Sequence, residues 1–204
     1  MIVWTPNAVT SLNPMNGRIY WREFSAINAS SAVATPVFDR NRLLIGGLML
    51  GLHADRPAAS VAWPQQQGVS RRVFNKFSTP WLSGDHVYSA NATGELVCLN
   101  ASSGATLWTT NTVTPPGPSA CIHIIGNGTK VFLFTDQGEL IRANLSASGY
   151  EERGRVKLLE ASNDLSGKKT FWSPPAFSRG CVFVRDNHEL VCFSLTDRHL
   201  SRSR

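Results

Sequence analysis

An all-β propeller of four-stranded antiparallel blades is the fold class that three features of this 204-residue chain predict. Similar stretches recur every 42 to 51 residues, each is made of β-branched and aromatic runs parted by turn-formers, and no segment sustains the 3.6-residue apolar period of a helix. Composition agrees. The chain is 42% hydrophobic and only 17% charged, with 16 Gly and 11 Pro, enough apolar material for a core and many turns.

The repeat is read from matched places. Thr35-Pro36 and Thr79-Pro80 stand 44 residues apart, as do Val87-Tyr88 and Val131-Phe132, and Gly94-Glu95-Leu96 and Gly138-Glu139-Leu140. A further unit, "WSPPAFSRGCVFVRDNHELVCFSL" at 172–195, follows the same order, with Val182 51 residues after Val131 and Glu189 50 after Glu139. Trp21, Trp63 and Trp108 add offsets of 42 and 45. Each unit offers four strands: one ending near the Pro, then Val-Phe, then Glu-Leu-Val-Cys, then one carrying the Trp. Pro is tolerated at the close of the first strand because a strand end need not donate a ladder bond.

In chain order, residues 1–24 supply the second to fourth strands of a partial blade. Whole blades are expected at about 30–66, 70–112 and 117–162, and 170–197 give the first three strands of another. The run "LLIGGLMLGL" at 43–52 reads as two buried strands, being half the roughly 20 residues a membrane helix needs. Residues 198–204 are expected to form a disordered basic tail. The two partial blades overlap, offering six strands for one four-stranded place. The expectation is therefore an open arc of four to five blade places, a piece of a longer propeller, with self-association through open blade edges as the alternative.

Asn13, Gly17 and Trp21 repeat at the same spacing as Asn100, Gly104 and Trp108. Asn bonds its local backbone and Gly takes positive φ, so the pair brackets a tight turn between the third and fourth strands. The Trp falls four residues further on, in the outer strand, where a large ring can cover the gap between blades and find a partner for its N–H. Trp63 holds that place in the intervening unit.

These residues resemble the pyrroloquinoline-quinone-like (PQQ-like, quinoprotein-like) propeller repeat, whose tryptophan-docking motif reads Ala-x-Asp-x-x-Thr-Gly-x-x-x-Trp. Cys98 stands at the Ala place, Asn100 at the Asp and Ser103 at the Thr, while Gly104 and Trp108 match; Ser11, Asn13 and Asn16 substitute in the earlier copy. The unit at 129–158 departs, with Val156 or Leu158 where Trp is expected, and the Trp63 unit replaces the turn with "GLHADRPAAS". WD40-type and kelch repeats share the period, but no Gly-His…Trp-Asp signature occurs and the one Gly-Gly is Gly46-Gly47. The resemblance implies either a quinoprotein dehydrogenase or a non-enzymatic scaffold, such as the periplasmic lipoprotein that assists outer-membrane β-barrel assembly; fold alone does not choose.

A dehydrogenase of this family implies Ca²⁺, a catalytic Asp and adjacent cysteines, whereas the four cysteines here are separate and the acids fall mostly at turns. The five histidines are spread singly, without zinc-type spacing, and no nucleophile elbow or phosphate loop occurs. No cofactor is expected, PQQ with calcium entering only if the chain is part of a PQQ-dependent dehydrogenase whose cofactor residues lie elsewhere. The formal charge is +6, but Lys and Arg are scattered rather than striped with aromatics, so no nucleic-acid partner is expected.

If Asp186-Asn187 form a two-residue turn, Arg185 pairs with His188 and Cys181 lies opposite Cys192, as a disulfide or as two reduced core thiols. Cys98 occupies the blade place of Cys192, which favours packing. Trp4, Trp81 and Trp172 are candidates for an exposed carbohydrate-binding rim. "MIVWTPNAV" lacks a basic n-region, so no signal peptide is expected in this chain, although the resemblance implies a periplasmic or exported protein. The function expected is a non-catalytic scaffold or protein-binding module.

Overall fold

A computed structural model describes residues 1–5, 7–24, 33–65, 74–117, 120–127, 130–162, 164–165 and 168–196, so the tail at 198–204 lies outside the described residues. Among them every regular element is a strand. The first sheet is β1 (Ile2–Trp4), β2 (Ala8–Leu12) and β3 (Ile19–Phe24). The second is β4 (Val37–Asp39), β5 (Arg42–Ile45), β6 (Leu48–Leu52) and β7 (Ala59–Trp63). The third is β8 (Trp81–Ser83), β9 (His86–Ala90), β10 (Leu96–Asn100) and β11 (Thr106–Thr110). The fourth is β12 (Ile122–Asn127), β13 (Lys130–Thr135), β14 (Glu139–Ser146) and β15 (Gly149–Lys157). A hairpin of β16 (Asp164–Leu165) and β17 (Lys168–Lys169) precedes the fifth, β18 (Ala176–Ser178), β19 (Cys181–Arg185) and β20 (Leu190–Ser194). Each sheet runs up and down in chain order, as propeller blades do.

Strand alternation sends apolar side chains to both faces, and each face packs on the neighbouring sheet. Leu43, Ile45 and Leu50 meet Val9, Ile2 and Trp4 of the first sheet. Leu44 and Met49 turn the other way, to Leu82, Val87, Val97 and Leu99 of the third. Leu96 and Ala90 meet Ile122, Leu133 and Ile141 of the fourth. Phe134, Leu140 and Phe171 meet Val182 and Val184 of the fifth. Burying one such side chain contributes about 1.5–3 kcal/mol, so the seams between sheets constitute the core.

Two local expectations are corrected. Pro36, Pro80 and Pro175 stand immediately before β4, β8 and β18 rather than closing them, a place where the missing N–H costs no ladder bond. The turn after β19 spans four residues, not two. Asp186 Oδ1 accepts from His188 N at 2.7 Å and Glu189 N at 2.8 Å, which caps a wider loop and pairs Arg185 with Leu190. Cys192 then lies opposite Phe183, and Cys181 opposite Ser194.

The last two strands of each of the first four sheets share a bulge, at Ser11/Leu12, Met49/Leu50, Cys98/Leu99 and Arg142/Ala143. Opposite the residue before each bulge stand Trp21, Trp63, Trp108 and Gly154. The tryptophan place of the fourth sheet therefore belongs to Gly154, not to Val156 or Leu158. The β14–β15 hairpin closes tightly with Ser146 opposite Gly149, which moves the register along β15.

The tryptophans reach forward to the next sheet. Trp63 Nε1 donates to Ala101 O at 2.8 Å, and Trp108 Nε1 donates to Ser146 O at 2.9 Å. Trp21 packs with Leu52, Ala59 and Val61 of the second sheet. The seat for Trp63 is the turn that begins at Asn100, whose Oδ1 accepts from Ser102 N and Ser103 N at 3.0 Å each. Gly104, at φ 72°, closes that turn; a Cβ there would fall 2.7 Å from the Trp63 ring. Asn13 and Gly17 form the same turn, with Asn13 Oδ1 accepting from Met15 N at 2.8 Å and Gly17 at φ 74°, but with open space around Gly17.

Trp63→Ala should cost about 3–5 kcal/mol in urea unfolding, and Trp108→Ala less, because its indole bond is exposed. Gly17→Ala carries only left-handed strain, about 1–2 kcal/mol, whereas Gly104→Ala carries that strain and displaces the Trp63 ring. Equal losses for the two glycine variants would refute the seat.

Candidate functional site

The first strands of neighbouring sheets approach one another, β4 to β8 and β8 to β12. The segments leading into them are laced together. Thr35 N donates to Thr79 Oγ1 at 3.1 Å, Ile122 N to Ser78 Oγ at 3.1 Å, and the buried Asn75 Nδ2 to Ala120 O at 2.6 Å. Where they converge lies a cavity of about 200 Å³, walled by Val33 and Thr35, Phe77 and Thr79, His123 with Ile124 and Ile125, and Trp172 and Pro174. Thr35, Thr79 and His123 are one blade place in three successive repeats, each 44 residues from the last.

Among the described residues the wall carries no side chain that is charged at neutral pH, while Lys76 Nζ lies 5.0 Å from the Phe77 ring centroid. Phe77 and Trp172 stack at 4.9 Å and 9°. His123 is 6% exposed, and burial pushes its pKa down to about 4 against a hydrogen bond to the Trp172 backbone that favours the charged form. It is neutral at pH 7. Trp172 Nε1 is buried without a hydrogen-bond partner. Cys121 Sγ lies 4.0 Å from His123 Nε2, yet it donates to Phe171 O at 3.2 Å and is fully buried. That pair suits packing rather than nucleophilic attack, which needs an accessible thiolate.

Of the residues singled out from sequence, Trp21, Trp63 and Trp108 and the Asn100–Gly104 turn sit in the seams between sheets, Asn13 and Gly17 form a turn with open space around Gly17, and none lines the cavity. Cys181 and Cys192 share one face of the fifth sheet but stand diagonally, both unbridged. Diagonal Cα atoms lie roughly 7–8 Å apart, beyond the span a disulfide closes without backbone movement. Desolvation, then the adjoining Cys181 thiol, raises the Cys192 pKa. Cys98 is buried opposite Tyr88, and burial raises its thiol to about 11.

The three rim candidates form no rim. Trp4 packs in the first seam, Trp81 packs against the third seam and over Gly126, and Trp172 walls the cavity, because each ring gains more by covering apolar surface than by facing water. Sequence reading treated His123 as one of five scattered histidines and missed the cavity. The usable signal was the place it shares with Thr35 and Thr79. Among the described residues, no three His, Cys, Asp or Glu side chains are grouped to hold a metal ion.

A family model described as outer membrane protein assembly factor BamB matches residues 2–110. No curated protein sequence matches the chain. Among solved structures, BamB from Moraxella catarrhalis is similar with a TM-score of 0.58 and 18% identity, over 93% of this chain and 56% of that one. The Cps50 (Swd1) β-propeller domain of Myceliophteria thermophila is similar with a TM-score of 0.53 and 12% identity, over 93% and 63%. This chain thus spans 56% and 63% of the two chains. At these identities the likeness shows the fold, a β-propeller.

The buried histidine makes stability depend on pH. Its folded pKa of about 4 lies below the ordinary 6.5, so between these values the unfolded chain binds more protons. Stability should hold above pH 6.5 and fall as pH drops towards 4, by an amount on the order of 3 kcal/mol. Urea unfolding at pH 7 and 4.5 should show a smaller loss in His123→Gln than in the parent chain.

Proposed function

The chain belongs to the β-propeller family of outer membrane protein assembly factor BamB, and we propose that it is a non-catalytic scaffold that binds a protein partner during outer membrane protein assembly. The match over residues 2–110 carries this reading. The chemistry of the cavity supports it: neutral walls, a neutral histidine and a thiol committed to a carbonyl offer recognition rather than acid–base or nucleophilic chemistry. Among the described residues no wall residue is a carboxylate, the donor a calcium-assisted quinone would need beside it. The scaffold works without a redox cofactor, in the periplasm at the outer membrane.

Such a protein binds its partner through shape and backbone contacts held by rigid sheets, with loops and outer strands as the accessible surface. β15 is the longest outer strand, and its Glu151–Arg153 pair at 2.7 Å alternates charge along the exposed edge. That pattern discourages indiscriminate strand addition and leaves partner choice to more specific contacts.

An unfolded outer-membrane β-barrel polypeptide, immobilised beside a soluble protein unfolded in the same way, should bind the chain saturably and in preference to the control. Adding quinone and Ca²⁺ should produce no dye reduction with alcohol or sugar substrates. Dye reduction above the blank would overturn the non-catalytic reading, and equal binding to both polypeptides would overturn the assembly role.

A further inference from the structure

We infer that the cavity where the repeats converge is a socket for a tyrosine side chain of the polypeptide partner. This rests on the scaffold reading above and names what that scaffold grips.

Size is the first ground. About 200 Å³ is less than the roughly 300–1,000 Å³ of clefts that hold free small molecules, and it suits a single large side chain. Charge is the second. With no ionised side chain among the described wall residues and His123 neutral, a cationic occupant would be buried without a counter-charge and close to the Lys76 ammonium, which lies 5.0 Å from the Phe77 ring centroid, a costly transfer. The occupant is therefore not a cation, and the flat Phe77–Trp172 stack beside the cavity favours an aromatic ring.

Hydrogen bonding selects among neutral aromatics. The Trp172 indole N–H is buried without an acceptor, a condition that an occupant bearing an oxygen would relieve. One ring nitrogen of His123 is engaged with the Trp172 backbone and Nε2 has Cys121 Sγ 4.0 Å away, so the unmet need is the indole's. A group that accepts answers it. A phenol oxygen accepts, phenylalanine has no acceptor, and an indole only donates. Val33, 53% exposed, stands at the mouth and leaves the way in from solvent.

The test uses the full ¹⁵N-labelled chain and two blocked tripeptides, acetyl-Gly-Tyr-Gly-amide and its Phe counterpart. The Tyr peptide should shift the Trp172 indole N–H and His123 ring resonances saturably, with at least severalfold weaker binding of the Phe peptide. Val33→Phe, made at an exposed position, should block the mouth and abolish the shift while the rest of the spectrum persists. Trp172→Phe should erase the preference for Tyr over Phe. Equal shifts from both peptides, shifts confined to other residues, or uptake undiminished in Val33→Phe would each defeat the socket. Binding of the unfolded barrel polypeptide separates the two ideas. Undiminished binding by Val33→Phe keeps the scaffold and removes the socket, whereas no binding by the parent chain, with the Tyr peptide still taken up, does the reverse.

Discussion

The structure depends on one repeated contact, a tryptophan ring seated on a turn of the following sheet. Trp63 meets the turn at Asn100–Gly104 and donates to its backbone, and Trp108 does the same at Ser146. A single repeat unit cannot bury its apolar faces by itself. Stacking supplies the apolar burial, and the seated ring fixes how each sheet is placed on the next. Stability then accrues seam by seam, as in other repeat proteins, rather than from a single central core.

The parts legible in the sequence are those set by local backbone demands. Gly17 and Gly104 are needed for their positive φ, the Asn residues hold their turns, and the tryptophans recur because the first three seams present the same gap. The up-and-down order of strands followed from these marks. What escaped is decided by geometry that neighbouring letters do not encode. Asp186 and Asn187 look like a tight hairpin, but the Asp186 carboxylate bonds two amides further on and widens the loop, which slides Cys192 away from Cys181. Gly154 was invisible as the tryptophan place because a tight turn shifted the β15 register. His123 gains meaning only when three repeats are superposed in space, since its neighbours across the cavity lie 44 residues and more away in the chain.

The repeat also explains how a chain with conserved geometry can hold individual chemistry. Buried positions in the seams must satisfy the same packing in each sheet, so Val87, Val131 and Val182 are alike. Positions at the convergence of the first strands face their counterparts rather than a seam, and there Thr35, Thr79 and His123 differ. Architecture is thus written in the seams and identity where the first strands converge.

Because every tryptophan latch points the same way, the chain acquires a direction of assembly. Trp63 and Trp108 each bond a carbonyl 38 residues later in the sequence. On a ribosome, a sheet emerges with its latch already made but its seat still unsynthesised, and it is locked only when the following turn appears. The order of the latches thus resembles a ratchet from the amino end, each following turn securing the blade before it. The ratchet has a missing tooth at Gly154, so the fifth sheet is held by its apolar face, without the indole that secures the others.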